Sequence, residues 1–340
     1  AVRQTRIDGT PVIETRVRIP GGDAVQRLWS VADHGGLTMI EVENQSSLPI
    51  AVAFTRGDLL SARPASAPIE GISLPAGSIA FPIGHHATLT VALPHTTTAS
   101  ASGHRSLPTV APLDTVVRGW STVAERAGRM VLPDVLLSER LTAVHCELAL
   151  GGIVAPADDP VAALIALGRQ ARMGQSALDL QPTVAAAVER AAKRAPRTWD
   201  LDAALDGAAS VLALAGDTRA CRDLEVVRAR LACDTELPVV APDDPIRLLP
   251  WADRRLVQRR GDSVSLLPLD LPDDWYGLGF EVHRVPTIGA DSVSFAIRWH
   301  GFHPAVLWDQ HGAGHRLTSP FAPEWSSSAD KGDQLWPAMA

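Results

Sequence analysis

The spacing of hydrophobic positions changes period twice along the chain. In the first third, apolar residues come in short runs rich in Val, Ile, Leu and Thr, at 12–19, 25–31, 37–42, 49–55, 78–83 and 88–93. Turn-forming clusters separate them: Pro20-Gly21-Gly22, His34-Gly35-Gly36, Asn44-Gln45-Ser46-Ser47 and Pro75-Ala76-Gly77. Strands at this spacing predict an antiparallel β-sandwich. Between Thr38 and Glu43, Met39, Glu41 and Glu43 share one face while Ile40 and Val42 share the other. That alternation predicts a half-buried strand.

Residues 94–103 break the pattern and read as a linker. From 116 to 233 the period becomes helical. Helices are expected over 120–129, 133–150, 160–173, 182–195, 200–215 and 217–232. Leu137, Leu141, Val144 and Leu148 line one face of the second, while Asp158-Asp159-Pro160 and Asp217 open two others. Short connections favour antiparallel neighbours, hence a helical layer. Pro238, Pro242 and Pro245 mark the return to strands, expected at 256–258, 263–267, 279–285, 293–300 and 305–309. In the fourth of these, Val293, Phe295, Ile297 and Trp299 face one way, and Gly301-Phe302-His303-Pro304 turns it into a hairpin. The fold class read from this pattern is α+β. It has an antiparallel β-sandwich at 1–110, an antiparallel helical layer at 111–235 and a C-terminal antiparallel β domain at 236–340.

Composition adds exclusions. Of 340 residues, 46% are apolar and 20% charged, so the chain folds rather than staying disordered. The net charge of −7 argues against nucleic acid or an anionic membrane as partner. Arg supplies nearly all the positive charge, since Lys193 and Lys331 are the only lysines. That usage, with abundant Ala, reads first as a coding bias. Residues 1–9 are polar and carry Arg3 and Arg6, so no secretory apolar stretch is visible there. Cys146, Cys221 and Cys233 are odd in number and lack CxxC spacing. A reducing cytoplasm without a disulfide framework is expected.

Candidate chemistry concentrates in the tail. Trp299, Trp308, Trp325 and Trp336 fall there beside His300, His303, His311 and His315. Aromatic planes next to hydrogen-bonding groups suit sugars, whose C–H faces stack while hydroxyls find polar partners. Trp299 reads as core because it shares a face with Phe295 and Ile297. Trp308 and Trp325 are candidates to face a ligand, with His300 and His303 near the hairpin end. Asp273-Asp274-Trp275-Tyr276 is a second candidate segment, combining two acids with the only Tyr. Glu139, Glu147, Asp273, Asp274, Glu281, Asp309 and Glu324 are available for a hydrolytic carboxylate pair, but the sequence pairs no two of them. Gly312 and Gly314 interrupt the second His pair and no HExxH occurs, so no metal site is expected. GxSxG and P-loop motifs are absent. No catalytic residue is assigned and no cofactor is expected. The run Arg254-Arg255-Leu256-Val257-Gln258-Arg259-Arg260 reads as a solvated strand pair flanked by Asp253 and Asp262.

Glu281-Val282-His283-Arg284-Val285-Pro286-Thr287-Ile288-Gly289, followed by Ser292 to Trp299, resembles the opening of the C-terminal β domains of helical-toroid glycoside hydrolases of the α-L-rhamnosidase type. The resemblance implies a carbohydrate context. Those toroids need about twice the helices read at 116–233, so it transfers no catalytic acid to a numbered position. The expected function is a carbohydrate-associated binding or accessory protein without its own catalysis. The alternatives are a glycoside-hydrolase-like enzyme and a protein-interaction scaffold, so the expected partner is a carbohydrate or a protein.

Overall fold

The computed structural model describes residues 1–65, 73–96, 106–151 and 155–338. The chain is α+β and divides into two units, 1–120 and 121–340. The expected linker lies outside the described residues from 97 onward; Pro94 ends a strand, and His95 donates its backbone N–H to Gly36 O.

In the first unit, a six-stranded antiparallel sheet runs in the order Val2–Arg6, Ile13–Ile19, Gly22–Val31, Leu37–Asn44, Thr88–Pro94, Leu60–Ser61. Ile50–Phe54 and Ile79–Ile83 form a second, two-stranded sheet. Ile40, Val42, Leu89 and Val91 of the first sheet share a core with Phe81 and Ile83 of the second, the expected sandwich. Met39 is buried too, because its face packs with Trp29, Leu37 and Val117. Glu41 and Glu43 leave that face through Arg27, which pairs with both and with Glu14 across three strands. Asn44 is fully buried and closes the following turn: its amide donates to Leu48 O and Gly84 O, and its Oδ1 accepts from Ser46.

Seven helices follow: α1 (Leu113–Glu125), α2 (Val135–Ala149), α3 (Pro160–Met173), α4 (Ala177–Arg194), α5 (Trp199–Leu214), α6 (Thr218–Leu231) and α7 (Pro245–Leu256). Side-chain caps fix several starts. Asp134, Asp159, Ser176, Asp217 and Asp244 each accept a hydrogen bond from a first-turn backbone N–H. α3 stops at Gly174 in the left-handed region, which glycine adopts without a Cβ penalty. Arg247 gathers three helix beginnings, because Asp159, Asp200 and Asp244 all pair with its guanidinium at 2.5–2.8 Å. Those carboxylates hold Arg247 above the usual arginine range despite its partial burial.

A five-stranded antiparallel sheet has the order Lys331–Leu335, His303–His311, Ser292–His300, Phe280–Pro286, Arg129–Val131. A four-stranded sheet joins Val257–Arg260, Ser263–Leu266, Arg316–Thr318 and Ser326–Ser327, with one parallel pairing. The hairpin expected around Gly301 is present, with His300 opposite His303.

The helical layer expected at 111–235 and the C-terminal strands expected at 236–340 fall within one compact unit, 121–340. Leu141, Val144 and Leu148 of α2 share a core with Val282, Phe295 and Val306 of the sheet. The helix expected at 120–129 lies earlier, and 129–131 is an edge strand whose Met130 is buried opposite Val282. Finally, 245–256 is helix α7 rather than a boundary segment.

An arginine-lined candidate functional site

Within the second unit, four elements contribute one face each to a cavity of about 350 Å³. Gly168, Arg169 and Arg172 come from α3 at helical spacing. Asp202, Asp206 and Ser210 come from α5, Arg228 from α6, and Asp253 and Arg254 from α7. Thr287, just past the strand Phe280–Pro286, completes the wall. Two glycines bring α3 and α5 together there. A methyl group on Gly168 would lie 2.5 Å from Gly207 Cα, and one on Gly207 would strike the Leu164 carbonyl.

Arg228 and Arg254 each bridge both Asp202 and Asp206, at 2.6–2.7 Å, and so tie α5, α6 and α7. Arg254 is therefore no solvated strand residue: its side chain is 11% exposed. Burial opposes ionisation of Asp206, but Arg254 and Arg228 outweigh it and hold that carboxyl below the usual range. Arg169 pairs with Asp253 and also donates to Ala127 O. Burial pushes Asp253 up, against the pull of Arg169. Gly128, at φ +110°, leaves room for this pair: a Cβ there would lie 3.0 Å from Arg169 Nη1 and 3.4 Å from Asp253 Oδ1.

Arg172 differs from its neighbours. Among the described residues its donors meet no carboxylate; they go to Ser210 Oγ and to the carbonyls of Gly289, Ala290 and Asp291. Burial, then the charge of Arg169, lowers it to about 10. Five arginines of the lining (Arg169, Arg172, Arg228, Arg254 and Arg259) thus face four carboxylates (Asp202, Asp206, Glu225 and Asp253). At the mouth, Glu225 stands 3.8 Å from both Arg228 and Arg259. Two further groups on the wall, Thr287 Oγ1 and Arg228 Nε, are buried without a hydrogen-bond partner. A concave wall with one more arginine than carboxylates, and with polar atoms lacking hydrogen-bond partners, is suited to an anionic group.

Behind the wall, His145 of α2 is 1% exposed, and its burial, with Arg169 nearby, pushes it down to about 3. The folded chain therefore refuses a proton that the unfolded chain accepts below about pH 6.5. Stability conferred by the neutral ring is complete above that pH. It falls by about 1.4 kcal/mol per unit as the pH drops toward 3. Urea unfolding at pH 7 and pH 5 should show a loss of about 2 kcal/mol from this group. The lowered His311 adds a loss of the same sign, so the contribution of His145 is the part missing in His145→Leu.

The residues singled out in the sequence lie elsewhere. Trp308 and Trp325 do not form an outward platform. Trp308 is 8% exposed and Trp325 half-buried, and with Trp336 they form an inner stack with centroids 5.4 and 5.2 Å apart. Trp308 Nε1 donates to Ala329 O at 3.1 Å. His300 and His303 face each other across the hairpin end, both exposed, with His303 Nδ1 3.2 Å from Trp336 O. Asp273, Asp274 and Trp275 form one 3₁₀ turn; the acids are exposed and Trp275 packs on Phe280. Tyr276 is exposed and lies 5.9 Å from Trp299. Asp274 and Trp275 line a separate groove, and none of these residues reaches the arginine cavity.

Among the described residues, no group of three or more His, Cys, Asp or Glu is placed to hold a metal, and no helix is long and apolar enough to cross a membrane. None of the three cysteines forms a disulfide. The sequence signal for the cavity was Arg169 and Arg172 within a largely apolar helix, together with Asp202 and Asp206 one helical turn apart on α5. Compared with known proteins, the chain matches no family model, no curated protein and no solved structure.

Proposed function

We propose that this protein binds a small anionic molecule in the arginine-lined cavity. The observation that carries the reading is Arg172, whose guanidinium hydrogen-bonds to no carboxylate among the described residues, beside Thr287 Oγ1 and Arg228 Nε, which lack a hydrogen-bond partner. A carboxylate or phosphate would balance that charge and supply acceptors for those atoms. The carbohydrate expectation enters as one ligand class, a sugar bearing phosphate or carboxylate. Hydrolysis is less well supported: Asp202, Asp206 and Asp253 are each engaged by an arginine, which leaves none of them as a free proton donor.

The test is thermal and chemical unfolding with inorganic phosphate, citrate, a hexose phosphate and the neutral hexose. A ligand at 100 times its Kd should add about 2.7 kcal/mol. The informative variant is Thr287→Val. Removing a buried hydroxyl that has no partner should leave the unliganded chain no less stable, while affinity falls about fivefold, the worth of one hydrogen bond of about 1 kcal/mol. Absence of stabilisation by every anion would overturn the proposal.

A further inference from the structure

A second concavity in the same unit, of about 290 Å³, is built differently. Its floor is apolar: Trp251, Leu256, Leu271 and Trp275 are each at most 7% exposed. Leu137 of α2 and Val239 form its sides. The loop carrying Val239 is fixed at both ends. Trp251 Nε1 donates to Pro238 O at 2.8 Å, and Arg140 donates to Asp243 O at 2.8 Å. Between those anchors Val239 and Val240 stand 87% and 79% exposed, and Leu136, beside Leu137, is 79% exposed. Apolar side chains held in solvent around an apolar floor mark a surface that another molecule covers.

Charge says what kind of molecule. Asp270 and Asp274 line the rim, are exposed and have no ion-pair partner among the described residues; Asp273 adjoins them. The only base on the lining, Arg255, is held over the Trp251 ring at 5.2 Å. A second copy of this chain would bring two acidic rims together on molecules that each carry −7. We propose that this groove docks a segment of a partner protein that inserts a large apolar side chain onto the tryptophan floor and sets Lys or Arg against Asp270 and Asp274. The site is independent of the anion cavity, with which it shares no lining residue.

The probe is a fluorescein-labelled amphipathic peptide of Leu and Lys, with a Leu and Glu peptide of the same pattern as control. Both are titrated with the full chain at physiological salt and followed by anisotropy. The Leu/Lys peptide should bind and the Leu/Glu peptide should not. Val239→Ser, an exposed change without alteration of charge, should weaken binding at least fivefold, as should Asp274→Lys, with both variants melting like the parent. Binding unaffected by Val239→Ser would mean charge attraction alone and would overturn the proposal, as would failure of the Leu/Lys peptide to bind. A chain that sediments as a dimer and becomes monomeric on Val239→Ser would replace the partner with a second copy.

Discussion

Replacing Trp308 by alanine is expected to lower stability by about 3–5 kcal/mol, the usual cost of emptying a buried aromatic site. The ring sits in the core with Trp325 and Trp336, and its Nε1 is spent on Ala329 O. The adjacent strand is shaped to it: a Cβ on Gly332 would lie 2.6 Å from the indole. Nothing else can fill that volume without shifting backbone, so a cavity remains in the variant. Equilibrium denaturation with urea measures the loss. A midpoint within experimental error of the parent would place the indole in solvent and refute the packing described here.

Asp253→Ala is expected to have an effect of the same size for an electrostatic reason. Arg169 is 5% exposed, and apart from Asp253 it reaches only the Ala127 carbonyl. Removing the carboxylate leaves a largely buried guanidinium without its counter-charge, which costs about 3–5 kcal/mol. The double variant Asp253→Leu with Arg169→Met should recover most of that loss, because burying neither charge is often neutral or better than burying both. Denaturation of Asp253→Leu, Arg169→Met and the double variant forms a cycle with the parent. If the double variant is as unstable as the single, the side chains act through packing rather than charge.

These two sites show why some of the structure could be read in the sequence and some could not. Strand alternation groups Trp308 with Val306 and Gln310 but leaves open which face of the strand is buried. Gln310 looks like an outward residue. In the fold it is 9% exposed because its amide donates to His315 O and Ala329 O and accepts from His315 N. Its partners, His315 and Ala329, lie beyond the end of the strand, and alternation within one strand carries no record of them. Leu307, 44% exposed, takes the solvent side.

The helix signals were local and so legible: Asp159-Pro160 opened α3, and Gly174 closed it. The same Asp-Pro step at Asp244-Pro245 opens α7, but with Pro238 and Pro242 just before it, Pro245 read as the boundary of the C-terminal strands. Missing α7 hid Asp253 and Arg254, and with them the cavity. The charged residues there meet across α3, α5, α6 and α7, at sequence separations that no motif spans.

The walls of that cavity are also unequally held. α3 is buried almost throughout and locked to α5 at Gly168 and Gly207, whereas α6 buries only Leu224 and Leu231 and is pinned by Arg228. Its backbone amides are therefore expected to exchange through local opening at a lower free energy than those of α3, which hydrogen exchange measures. An anion that engaged Arg228 in the proposed site would hold α6 in place, so that occupancy and the folding of α6 would be one equilibrium seen from two sides.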